Sequence, residues 1–151
     1  MSKGRFFISY NRQDREIARA LAVALDEAGI PFFLDTRDIM PGQKWANVIE
    51  QALVDSSHLL LIHTKNSRNS NHVINEWTYF LELGKALENI IPLAFDETLS
   101  PLHLIQLQKE DCKQHDFTII VQNLKNSILN IQDETETQEA PVQEKVAAKI
   151  H

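Results

Sequence analysis

The chain has 151 residues, 43% of them apolar, enough for one domain with a buried core. Its formal charge of −6, with 15 Lys and Arg scattered along it, argues against nucleic-acid binding through a basic stripe. The start, Met1-Ser2-Lys3-Gly4, shows neither a cleavable signal nor a membrane span, and a lone cysteine, Cys112, excludes an internal disulfide, so a cytoplasmic protein is expected.

Arg5 to Ser9 is an apolar run that turns polar at Tyr10-Asn11-Arg12-Gln13-Asp14, the pattern of a strand ending in a loop. No glycine follows Gly4 until Gly29, so this loop is not a dinucleotide-cradling turn, and a ligand here is held by side chains and helix-end amides. Ile17, Ala20, Leu21, Ala24, Leu25 and Ala28 recur at helical steps, and Gly29 closes that helix. Ile30 to Leu34 reads as a second strand, Asp35 to Gly42 as a loop, and Trp45, Val48, Ile49, Ala52 and Leu53 as a second amphipathic helix. His58 to His63 is apolar at consecutive inner positions, as in a strand buried on both faces.

Thr64 to Asn71 is polar and reads as a loop, followed by a third helix over about His72 to Leu87 and a fourth strand over Asn89 to Phe95. Ser100-Pro101 resembles a cap and first helical turn, Leu104 to Lys109 a weak fifth strand, and Phe117 to Ile131 a final helix. The alternation predicts a flavodoxin-like three-layer α/β fold, a five-stranded parallel sheet with helices on both faces. The domain is expected over 1–131, and 132–151, acidic and Gln/Thr-rich with Pro141 inside it, reads as a tail or linker. Val142, Val146 and Ile150, four apart, could begin another helix.

On the third helix Val73, Trp77, Phe80, Leu81, Gly84 and Leu87 form one apolar stripe with Glu76 on its flank. A carboxylate half-buried beside Trp77 and Phe80 is either an acid or base raised in pKa by desolvation, or a cap near the positive end of the helix dipole. Strand ends and their following loops share one edge of a parallel sheet, which gathers Glu76, the basic Arg12 and Arg37, and the aromatic Phe7 and Trp45, a set suited to a nucleotide. Two alternatives on this topology fail by absence. A phosphate-accepting receiver needs acidic residues where Asn11-Arg12 and His63-Thr64 stand, and a Rossmann site needs a glycine fingerprint. His58 and His63 sit at opposite ends of one strand and are expected to be ordinary satisfied histidines, so no metal site is expected.

Over about Lys3 to Ile131 the chain resembles a TIR domain, the Toll/interleukin-1 receptor module, of the bacterial NAD-cleaving type. Phe7-Ile8-Ser9-Tyr10 with Asp14 is similar to the family's first box. Phe33-Leu34-Asp35 through Pro41-Gly42, then Trp45 and Ile49, is similar to its second strand and BB loop, and Ser70 to Trp77 to the helix that carries the glutamate of enzymatic members. Many enzymatic members have Trp four residues before that glutamate; this chain has His72 there, and Trp77 after it.

The resemblance implies an NAD+ glycohydrolase or cyclase with Glu76 catalytic. Phe7, Ser9, Asn11, Arg12, Arg37, Met40 and Trp45 are the candidate nucleotide contacts, NAD+ being substrate rather than cofactor. Its products are nicotinamide and ADP-ribose or a cyclic ADP-ribose, and it implies self-assembly through the BB loop and use in defence or signalling, antiviral defence included. Two other readings stay open: a non-catalytic TIR–TIR scaffold, and a receptor for a nucleotide-derived signal.

Overall fold

The computed structural model describes residues 5–36, 44–114 and 116–129. Residues up to His115 form one unit and those from Asp116 a second. The first holds five strands, β1 (Phe6–Ser9), β2 (Phe32–Leu34), β3 (His58–His63), β4 (Ile90–Ala94) and β5 (Glu110–Asp111), in the order β2-β1-β3-β4-β5. Every pairing is parallel, which bears out the predicted α/β class. The strand order reverses between β1 and β3, and at such a switch point the loops leaving neighbouring strands part to opposite faces and open a crevice.

Four helices accompany the sheet: α1 (Arg15–Glu27), α2 (Trp45–Asp55), the short α3 (Lys65–Arg68) and α4 (Asn71–Glu82). The step from β1 to β2 runs opposite to those that follow, so right-handed crossovers put α1 on one face and α2 and α4 on the other. Side chains alternate along each strand, and Phe7, Leu59 and Leu61 project toward α2 and α4, joining Ile49, Leu53, Val73, Trp77 and Phe80 in one core. Phe6, Ile8, Leu60 and Ile62, on the other pleat, are equally buried, as are Ala18, Leu21 and Leu25 of α1. Helix α1 ends where Gly29 takes a φ of +74°, a left-handed conformation that lets its N–H reach the Asp26 carbonyl at 3.0 Å.

Three expectations are corrected. The helix predicted to reach Leu87 stops at Glu82, because Gly84 adopts a φ of +89°, and Leu87 opens a 3-10 turn. The stretch read as a loop after β3 contains α3, which a capping box between Thr64 and Ser67 makes viable in so short a segment. The fifth strand is Glu110–Asp111 rather than Leu104 to Lys109; as an edge strand it tolerates charged residues and carries no apolar run, while Leu104 sits in a 3-10 turn with its side chain in the core.

In the second unit α5 (Phe117–Leu124) begins at Asp116, whose carboxylate accepts from the Ile119 N–H at 3.0 Å, and it continues as a π-helical turn over Lys125–Leu129. The proposed tail from 132 lies outside the described residues. Among the described residues no helix is long and apolar enough to cross a membrane.

Candidate active site

The alternation that sends Phe7 toward α4 sends Ser9 there too, two residues on, at the carboxyl end of β1. Its hydroxyl donates to Glu76 Oε1 at 2.7 Å. Glu76 is only 4% exposed, deeper than the half-buried flank expected, because Ser9 draws it in over the sheet edge. Helix α4 presents it from a start fixed by Ser70, whose hydroxyl accepts from the Val73 N–H at 3.3 Å.

One turn before Glu76, the His72 Nε2 lies 3.3 Å from Glu76 Oε2 and 3.1 Å from Asp35 Oδ2. Asp35 follows β2, is 5% exposed, and accepts at its backbone carbonyl from the Tyr10 hydroxyl. One imidazole therefore meets the loop after β2 and a carboxylate of its own helix.

Two cavities flank this cluster. The larger, about 600 Å³, is lined by Tyr10, Asn11, Arg12, Gln13, Asp35, Ser70 and His72. The smaller, about 280 Å³, includes Ile49, Glu50, Leu53, His72, Asn75, Glu76 and Tyr79. His72 is common to both and stands as their shared wall.

A second carboxylate braces the same edge. Asp14 accepts from Thr64 Oγ1 at 2.6 Å and from Asn66 Nδ2 at 2.9 Å, tying the loop after β1 to the loop after β3. Burial lowers the pKa of both strand histidines; His58 Nδ1 lies 2.8 Å from Ser57 Oγ, and His63 Nε2 lies 2.8 Å from the Thr98 carbonyl oxygen. Cys112, expected in a polar setting, is buried, and its thiol is pushed up to about 12 by that burial and by Glu110 and Asp111, which leaves it inert at neutral pH.

Of the residues singled out from the sequence, Asn11 and Arg12 line the larger cavity and Glu76 the smaller. Ser9 reaches the site through Glu76. Phe7 is corrected: it is wholly buried and stacks on Phe33 with centroids 5.3 Å apart, so a strand covered on both faces leaves it no surface for a ligand. Trp45 opens α2, half-buried, and is not among the residues lining either cavity. Arg37 and Met40 lie outside the described residues. Sequence reasoning passed over Asp35, Tyr10 and the part played by His72. The spacing of His72 and Glu76, one helical turn apart, was the available signal for the pairing of these two side chains.

The chain belongs to the TIR domain family, whose sequence profile matches residues 6–121. Among solved structures it is similar to the TIR domain of the Toll-related receptor TRR-2 from Hydra magnipapillata, at 25% identity and a TM-score of 0.66, covering 82% of this chain and 96% of that one. A prokaryotic SEFIR domain shares the fold at 18% identity and a TM-score of 0.63, over 83% of this chain and 92% of the other. The TIR domains of the activated Roq1 resistosome, which directly recognises the effector XopQ, share it at 19% identity and a TM-score of 0.55, over 87% and 76%. Among curated proteins none matches significantly.

Proposed function

We propose that this TIR domain cleaves the nicotinamide–ribose bond of NAD+, releasing nicotinamide and ADP-ribose or a cyclised ADP-ribose. The observation that carries the reading is the buried Glu76 carboxylate, held by Ser9 at the carboxyl edge of the sheet and lining a cavity. Family membership supports it, since the family includes NAD-cleaving members.

A single carboxylate suffices for this chemistry. Glycosidases that expel an alkoxide pair two carboxyl groups, because the leaving oxygen must be protonated as the sugar gains positive charge. Nicotinamide is cationic in NAD+ and departs neutral, so no general acid is needed. Glu76 stabilises the oxocarbenium-like ribose and accepts hydrogen bonds from its hydroxyls, and Ser9 fixes the carboxylate in place. Arg12, exposed on the larger cavity beside Asn11, supplies positive charge for the diphosphate.

The test is nicotinamide release from NAD+ by the full chain and by Glu76→Gln and Glu76→Ala, over a range of protein concentrations. Release by wild type that both folded variants lose supports the reading; no release at any concentration removes it. Assembly with other TIR domains is the second reading, and the likeness to TIR domains of an activated resistosome favours it. The two are compatible, and activity that rises faster than protein concentration marks a site completed by assembly.

A further inference from the structure

We propose that Asp35, His72 and Glu76 together bind a divalent first-row transition-metal ion, with Zn2+ the best match. This goes beyond NAD+ cleavage; both uses draw on the Glu76 carboxylate, so a bound ion would compete with the ribose for it.

The donor atoms are one imidazole nitrogen and two carboxylate oxygens, all within 4.8 Å of one another. Imidazole with carboxylates is the donor set of zinc and its neighbours, whereas Mg2+ and Ca2+ take all-oxygen shells. Spacing agrees with the donor type. Zinc bonds of about 2.0–2.1 Å in a tetrahedron put neighbouring donors roughly 3.3–3.4 Å apart. His72 Nε2 is 3.1 Å from Asp35 Oδ2 and 3.3 Å from Glu76 Oε2. The two carboxylate oxygens lie within 4.8 Å of each other, and a fourth ligand would come from solvent.

Charge points the same way. Asp35 and Glu76 are 5% and 4% exposed, yet both turn an oxygen to one ring nitrogen. A cation seated among the three side chains would bond an oxygen of each carboxylate as well as the ring nitrogen.

The support a metal site needs is also built. His72 and Glu76 project from one face of α4, which Ser70 caps. Ser9 engages Glu76 Oε1 and leaves Oε2 as the ligand atom, and Tyr10 anchors the Asp35 backbone. The His72 side chain is 36% exposed and borders both cavities, which gives the ion a path in.

The full chain, stripped with a chelator, is titrated with Zn2+ against a chromogenic chelator, and with Co2+ while the visible spectrum is followed. The expected result is one equivalent bound, a rise in Tm, and the absorption of four-coordinate Co2+. His72→Ala and Asp35→Asn each weaken Zn2+ by more than about tenfold. Should the buried Asp35→Asn fail to fold, His72→Gln at the part-exposed position carries the comparison. Absence of saturable one-to-one binding, Co2+ that stays six-coordinate, or wild-type affinity in a folded His72 variant overturns the proposal. All these readouts are on the ion, so a protein that binds Zn2+ and releases no nicotinamide separates the two readings.

Discussion

Asp14 and the Asp35–Glu76 pair are carboxylates of nearly equal burial at the same edge of the sheet, and they are put to opposite uses. Asp14 meets two neutral donors, Thr64 and Asn66, each spending a hydrogen on a different oxygen. That arrangement stabilises the charge without any ligand and stitches two loops together. Asp35 and Glu76 instead share one ring nitrogen on the wall between two cavities. On the function proposed above, burial alone does not single out the working carboxylate; the partners and the adjoining cavities separate the two.

Four experiments break or sharpen that contrast. The largest effect belongs to Glu76→Gln, which keeps the hydrogen bond to Ser9 but removes the charge. Nicotinamide release falls by at least about 100-fold, with urea unfolding little changed. Asp14→Ala should do the reverse, lowering stability by about 3 kcal/mol, read as a drop in the urea midpoint at constant slope. Activity per folded molecule should then be nearly intact. Equal loss of activity in both variants would erase the distinction between brace and site.

Ser9→Ala is intermediate: the carboxylate loses one anchor, and release slows about tenfold, equivalent to about 1.4 kcal/mol. The smallest effect comes from pH. His58 and His63 have folded-state pKa values lowered by burial, so above pH 6.5 both states are neutral and stability is full. As pH falls below 6.5 the unfolded chain takes up protons that the folded chain refuses, and stability declines until the folded pKa is reached. The double variant His58→Gln, His63→Gln should show a flatter fall in urea midpoint between pH 6.5 and 5 than wild type.

Local pattern carried most of the architecture. The strand His58–His63 was legible because so short a run of consecutive apolar residues suits a strand covered on both faces, and α1 because its stripe recurs at helical steps up to Gly29. The short α3 was hidden, since a four-residue helix is made by its capping box rather than by any apolar period. Strand β5 was hidden as well, because an edge position asks for backbone pairing and not for hydrophobic side chains.

At the site, the place of Glu76 beside Trp77 and Phe80 left a capping role open and the resemblance to enzymatic family members made it the candidate, while Arg12 and Asn11 could be picked out from their place after β1. Phe7 was misplaced for a simple reason: an aromatic in a strand next to polar residues looks the same in one dimension whether it faces solvent or a helix. Asp35 could not be found at all, because nothing local joins it to a histidine 37 positions away.

The amino-acid sequence by itself determined most of the alternation of strands and helices and which helix bears the central glutamate, since these follow from periodicity and short-range chemistry, while the family followed from the likeness of its motifs. Only the tertiary structure decided that Ser9, Asp35, His72 and Glu76 meet, because parallel strands are joined through crossovers and their carboxyl ends become neighbours only once the sheet has formed.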